Sequence, residues 1–221
     1  MYLTRLELNP ARRGARALLT SPHRLHGAVM KAFPAADRRP TGEGRILWRV
    51  DEHSHQTLLY ILSPRRPDLT HLVEDAGWPA TATWDTKYYG SLLEQLADGQ
   101  EWAFRLTANP TRYVRKKDSD SHTRRFGHVT VGQQIDWLLT RVAGSGFAIV
   151  PARINEPDVL IRERDVRRFD RSGQRVTLAI ATFEGKLRVI DVDRLRHALT
   201  HGIGHAKAYG CGLLTLARLR A

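Results

Sequence analysis

Residues 5–12 read Arg-Leu-Glu-Leu-Asn-Pro-Ala-Arg, and residues 105–112 read Arg-Leu-Thr-Ala-Asn-Pro-Thr-Arg, the same frame repeated at an offset of 100. In each copy a short strand (2–8 and 102–107) is predicted to stop at Asn-Pro, because proline lacks a ladder donor and pushes its predecessor away from helix. A basic loop is expected next, followed by an amphipathic helix, 22–33 in the first half and 131–142 in the second. Around these anchors the first half offers strands near 45–50 and 57–62, a short helix at 69–76 and a strand near 81–89. The second offers strands at 159–164, 175–182 and 187–190, a helix at 192–200 and a strand at 213–219. That order describes an α+β protein of two tandem ferredoxin-like (RRM-like) β-α-β-β-α-β domains, residues 1–92 and 99–221, with the boundary near 91–99.

A four-stranded sheet covered by helices on one side leaves its other face open, with basic loops around it. The alternating Phe and Tyr of a base-stacking RNA-recognition motif are absent, and Trp48, Trp102 and Trp137 sit in apolar patterns that suit a core.

The chain has 221 residues, with 35 Lys plus Arg against 23 Asp plus Glu, a net charge of +12 that calls for a polyanionic partner. Apolar residues at 42% and a mean hydropathy of −0.40 describe a globular chain, and no run approaches the roughly 18 apolar residues of a membrane span. The start, MYLTRLELNP, lacks the pattern of a signal peptide, so a cytoplasmic protein with no membrane partner is expected. The lone Cys211 rules out an internal disulfide and a zinc finger.

Of the 35 basic residues 29 are arginine, which binds phosphate with two parallel hydrogen bonds and stacks on bases, although a GC-rich genome also raises arginine at no structural gain. Arg112, Arg115, Lys116, Lys117, Arg124 and Arg125 face only Asp118 and Asp120 in 14 residues. Arg162, Arg164, Arg167, Arg168, Arg171 and Arg175 surround a turn at Ser172-Gly173 and read as a basic β-hairpin. Such a ribbon enters a groove or tracks phosphates; the alternative is an edge strand charged against aggregation, with Glu163, Asp165 and Asp170 interleaved.

Ser21-Pro22 starts a helix, serine as the cap and proline in the first turn. Leu25, Val29, Ala32 and Phe33 fall on one side of it, and His23, Arg24, His26, Gly27, Met30 and Lys31 on the other. An i, i+3 histidine pair near a positive helix end suits RNA cleavage, since attack by a ribose 2′-OH needs two proton transfers near neutral pH. A solvated surface pair is the commoner fate of such a pattern. A metal would need a third ligand that the sequence does not nominate, so no metal or other cofactor is expected.

Residues 202–212 hold four glycines, but lack the glycine at Lys207 of a dinucleotide fingerprint and the Ser or Thr after lysine of a Walker motif. What remains is a loop that lets backbone approach a phosphate or another backbone, with Lys207 as a phosphate contact.

Four stretches, MYLTRLELNP, SPHRLHGAVMKAF, RLTANPTR and GIGHAKAYGCGLL, in this order and spacing, resemble the CasE family of CRISPR RNA-processing endoribonucleases from type I-E Cascade systems. The resemblance spans essentially the whole chain. It implies a tandem ferredoxin-like fold and metal-independent cutting of precursor CRISPR RNA within the repeat, on the 3′ side of a stem-loop. The implied products are a 5′-hydroxyl and a 2′,3′-cyclic phosphate or 3′-phosphate. The implied partners are the repeat stem-loop, retained after cutting, and the other Cascade subunits. By position His26 matches the family's catalytic histidine and Lys31 the basic residue near the scissile phosphate. Related proteins can carry tyrosine where this chain has His23, so His23 is expected to act as the second proton-transfer group. The expected RNA contacts are Arg12, Arg13 and Arg24 in the first half, Arg112, Arg115, Lys116 and Lys117 in mid-chain, Arg162, Arg164, Arg167, Arg168 and Arg171 in the hairpin, and Gly202, Gly204 and Lys207 in the glycine-rich segment. A non-catalytic subunit that only holds the stem-loop is the competing reading. A DNA-binding regulator fits poorly, because the basic residues are read in loops and a hairpin, with no recognition helix.

Overall fold

Apolar alternation in the first hundred residues builds an antiparallel sheet around β1 (Tyr2–Leu8), which pairs with β3 (Thr57–Ser63) on one side and β4 (Trp84–Tyr88) on the other; β2 (Leu47–Glu52) lies outside β3. The computed structural model describes residues 1–80, 83–115, 123–153, 156–171 and 173–219. Leu6, Leu8, Trp48, Leu59 and Ile61 project from one sheet face into a core shared with Leu18 of α1 (Arg13–Leu19), Leu25, Val29 and nearby Phe33 around α2 (Pro22–Lys31), and Leu72 of α3 (Thr70–Ala76).

The second sheet repeats the plan. Its order is β11 (Val159–Arg171), β12 (Gln174–Val189), β5 (Glu101–Ala108) and β13 (Leu214–Ala217), with the short β8 (Phe147–Ile149) beside the far end of β12. Helices α5 (Val131–Val142) and α6 (Val192–His201) close its core through Trp137, Leu138, Leu195 and Leu199. Both sheets therefore have ferredoxin-like strand order, as the repeat predicts. Trp48, Trp102 and Trp137 are all buried, in keeping with their apolar patterns. Among the described residues no helix is long and apolar enough to cross a membrane.

Three expectations about these elements need correction. The stretch after Asn9-Pro10 is the helix α1 rather than a basic loop, and the Arg12 guanidinium at its start donates to the carbonyls of Glu74 and Gly77 near the end of α3. The stretch after Asn109-Pro110 forms a second hairpin, β6 (Thr111–Arg115) with β7 (Thr123–Gly127). The strands expected at 175–182 and 187–190 are one strand, β12, running through Gly185. A Cβ at Gly185 would sit 2.0 Å from the Asp158 carbonyl oxygen, where the partner strand breaks between β8 and β11 around the pair β9 (Pro151–Arg153) and β10 (Glu156–Pro157). The stretch beside the expected boundary also holds a helix, α4 (Gly90–Gln95).

The far face of the first sheet is not left open. Leu3, Leu47, Tyr60 and Leu62 join the second unit's core, and Arg49 of β2 reaches across to it. Its Nη1 donates to the carbonyls of Arg105 and Leu213 (both 3.2 Å), while Nε and Nη2 grip Asp51 (2.7 and 3.0 Å). Asp51 also pairs with Arg105 of β5 (2.9 Å), and Arg105 with Glu184. Arg49 and Asp51 are 3% and 6% exposed, so this bridge between the sheets is a buried network. The two guanidinium groups hold the Asp51 carboxyl below the usual carboxylate range, against the burial that would raise it.

Candidate active site

Helix α2 starts where the sequence says: the Ser21 hydroxyl accepts from the Arg24 amide (3.4 Å) and Pro22 occupies the first turn. Leu25, Val29, Ala32 and Phe33 are buried, which fixes the helix's rotation. His23 and Arg24 are left exposed, while His26 is half-buried at the rim of the core. The i, i+3 spacing puts both imidazoles on one side, about 4.5 Å apart along the axis. The Nδ1 of His26 is buried without a hydrogen-bond partner.

The charged groups that act on His26 among the described residues are all basic. Burial lowers its pKa first, and the charges of His23, Arg45 and Arg171 push in the same direction. Arg171 comes from the tip of the β11–β12 hairpin, where its Nη1 donates to the Tyr209 hydroxyl (3.1 Å). Arg45 comes from the stretch ahead of β2, tethered by its amide to the Thr200 carbonyl (3.2 Å), and its Nε is buried without a partner. Burial and then Arg45 also lower Lys207. His205 is lowered by burial, Arg125, Lys207 and Arg141 in that order. A band of positive charge thus runs from α2 past the hairpin tip and the glycine-rich segment to β7 and α5. Among the described residues none of His23, His26, Arg45, Arg171 or Lys207 forms a salt bridge.

The glycine-rich segment owes its composition to packing. Gly202, Gly204, Gly210 and Gly212 all adopt φ between 78° and 93°. A Cβ at Gly210 would come within 2.7 Å of the Trp48 ring, and one at Gly204 within 3.0 Å of Trp137. The segment therefore wedges between the cores of the two units, and in doing so presents the turn Lys207–Tyr209 to α2.

The basic hairpin forms as read. Its ladder closes at Arg171↔Gln174 with Gly173 at φ 76°; Ser172 lies outside the described residues. Phe169 turns inward against Tyr209 (ring centroids 4.9 Å apart) and the buried Cys211, anchoring the hairpin to the glycine-rich segment. Arg162 and Arg168 are exposed, Arg167 pairs with Asp165 (2.9 Å), and Arg164 donates to the Val129 carbonyl.

The structure thus gathers His23, His26, Arg171 and Lys207 at one place. It leaves Arg13 exposed on α1 and Arg112 exposed on β6, and occupies Arg12 with α3. Arg115 ends β6, while Lys116 and Lys117 lie outside the described residues. Lys31 is exposed in the last turn of α2, about 7.5 Å along the axis from His26 and about 140° around it. Sequence reasoning missed Arg45 and Tyr209. Arg45 is a lone arginine in no cluster, carried to the site only by its main-chain tether to α6, and no local pattern announces it.

Two ferredoxin-like units share a core and line their junction with cations that form no salt bridge among the described residues, with two histidines on the first unit's helix beside them. The chain matches the CRISPR associated protein family over residues 1–218, and it belongs to that family. It is 29% identical to the CRISPR-associated endoribonuclease Cse3 of Thermus thermophilus, over 98% of this chain and 100% of the relative. It is 28% identical to the CRISPR system Cascade subunit CasE of Escherichia coli K12, over 99% and 100%. The structure of Thermus thermophilus Cse3 bound to an RNA representing a pre-cleavage complex superposes with a TM-score of 0.79 at 29% identity, covering 98% of each chain. This likeness runs the whole length and sets the chain among the CasE/Cse3 proteins of type I-E systems.

Proposed function

We propose that this chain is a metal-independent endoribonuclease that cuts precursor CRISPR RNA within the repeat, at the 3′ side of a stem-loop, and stays on the product as a Cascade subunit in the cytoplasm. The observation that carries the reading is the pair His23 and His26 on one side of α2, set among cations with no carboxylate among the described residues to neutralise them. Such a basin attracts a phosphodiester, and two imidazoles supply the two proton transfers that its cleavage requires.

His26, held uncharged at neutral pH by burial and its cationic neighbours, takes the proton of the ribose 2′-OH. The 2′ oxygen attacks phosphorus, the bond to the 5′ oxygen breaks, and His23 gives that oxygen its proton. The products are a 2′,3′-cyclic phosphate and a 5′-hydroxyl; later addition of water opens the ring to a 3′-phosphate. Lys31, in the last turn of the same helix, adds positive charge to the field at the developing anion. Residues 1–92 form the unit that carries this chemistry. Residues 99–221 form the unit that holds RNA, through the exposed Arg162 and Arg168, with Arg171 and Lys207 at the junction.

The test is incubation of the purified protein, in excess EDTA, with a labelled hairpin RNA copied from the CRISPR repeat of its own genome, followed by identification of the product ends. Cutting beside the stem with a cyclic phosphate end is expected, and a deoxyribose at the cut site must stop it. Tight binding with no cut transfers the chain to the RNA-holding class.

A further inference from the structure

Arg45 touches no reacting atom in the reaction as just described, yet its charge acts on groups of both units. Its charge is felt by His26 on α2 and by Lys207, whose turn packs against both α2 and β2, and the Arg45 Nε is buried without a hydrogen-bond partner. Folding therefore collects basic groups from positions 26, 45 and 207, with Arg171 and His23 beside them, and supplies no acidic counterpart among the described residues. Cations gathered at the edge of a core repel one another and forfeit hydration; an anion placed among them offsets both costs. Two nitrogens of this group, His26 Nδ1 and Arg45 Nε, are also buried without a partner, so the group is short of an acceptor as well as of negative charge.

A structural duty for the guanidinium does not account for this. The contact that fixes this stretch of chain is the Arg45 amide on the Thr200 carbonyl, a main-chain bond that any side chain but proline would keep.

We propose that Arg45 is a catalytic residue that binds the phosphate at which the RNA is cut, Nε donating to a non-bridging oxygen with Lys207 on the other side. This rests on the nuclease reading above. As the 2′ oxygen adds, negative charge accumulates on the non-bridging oxygens, and a guanidinium already in place there binds the transition state more tightly than the ground state. The pair also holds phosphorus beside His26, so that the proton acceptor and the charge acceptor are set by one bound group.

The experiment uses the full chain with Arg45→Ala and Arg45→Lys, single-turnover cutting of the repeat hairpin, and binding of the same RNA with a deoxyribose at the cut site. Arg45→Ala is expected to slow cutting about 100-fold, as loss of one preorganised donor does, while binding weakens less than about tenfold. Added guanidinium ion restores part of the Ala variant's rate, and Arg45→Lys falls between. Independently of RNA, the NMR titration midpoint of the His26 ring, assigned by its loss in His26→Gln, rises in Arg45→Ala. Inorganic phosphate shifts that ring in the parent and not in the variant. Cutting at the parental rate by Arg45→Ala, equal loss of cutting and binding, or an unmoved His26 midpoint overturns the proposal. If the parent itself does not cut but its His26 responds to phosphate through Arg45, the nuclease reading falls and the phosphate site stands.

Discussion

The two copies of Arg-Leu-x-x-Asn-Pro-x-Arg begin alike and end in different trades. Leu6 and Leu106 are both buried at the centre of their sheets. Arg5, however, faces solvent, whereas Arg105 pairs with Asp51 and Glu184 in the bridge between the sheets. The Asn9 side chain merely closes a local turn on the Ala11 amide (3.0 Å), while Asn109 is buried and donates to the Ala179 carbonyl (2.7 Å) in β12. Beyond the proline, Ala-Arg-Arg-Gly-Ala-Arg-Ala-Leu-Leu favours helix and delivers the chain to α2; Thr-Arg-Tyr-Val-Arg favours strand and yields the β6–β7 hairpin. The first unit keeps its β2–β3 hairpin short and puts its histidines on a helix, and the second stretches the equivalent hairpin to strands of 13 and 16 residues studded with arginine. In the function proposed above, the duplicated scaffold splits its labour: one copy carries the proton-transfer groups and the other binds the polyanion.

Substitutions on either side put that division at risk. The steepest loss is expected at His26→Ala, which should cut the single-turnover rate by about 10²- to 10⁴-fold and leave binding of the deoxy-substituted hairpin within a few-fold. In the parent, the acid limb of kcat/KM should lie below the ordinary histidine value of 6.5, because His26 must lose its proton to act and its pKa is lowered; a limb above 6.5 contradicts the assignment. A comparable loss of binding in His26→Ala would merge the two roles.

Next comes the joint. Asp51→Ala strands Arg49 and Arg105 against each other in a buried network and should destabilise the chain by about 3–5 kcal/mol in denaturant unfolding. Since the folded Asp51 pKa is depressed, its stabilisation is present above the ordinary aspartate value of 3.8 and drains away as pH falls below it. An unfolding midpoint near the parent's would mean the halves do not depend on this bridge.

On the gripping side, Arg162→Ala and Arg168→Ala should each weaken RNA binding about evenly across sequences and make its salt dependence shallower by about one. Unchanged slopes would return the exposed strand to a device against aggregation. The smallest effect is at Gly27, exposed in the middle of α2, where a Cβ meets nothing within 4 Å. Gly27→Ala should stabilise by about 0.5–1 kcal/mol through helix propensity alone, read as a raised midpoint of thermal unfolding.

The sequence shows the strand order, the helix at Ser21-Pro22 and the buried tryptophans because each rests on local periodicity or a cap. It also shows His23 and His26, whose spacing already puts them together. Three kinds of feature stayed hidden. Helix α1 is short, and Arg12, Arg13 and Arg16 with Gly14 among them read as loop until the end of α3 accepts Arg12. The continuity of β12 hangs on Gly185, a residue that ordinarily marks a break and here makes room for the Asp158 carbonyl. Arg45 belongs to the site through tertiary geometry alone, since its neighbours there lie at positions 26, 171 and 207.

The buried Cys211 gives the molecule a further property. It sits beneath Phe169, Leu178 and Ile180 in the half of the basic hairpin nearer its turn, and burial pushes its thiol up to about 12. Protonated and covered, it is inert to alkylation while the hairpin is seated. Any excursion that lifts the hairpin from the glycine-rich segment bares the one sulfhydryl in the chain, so the protein carries an internal clock for the breathing of this hairpin.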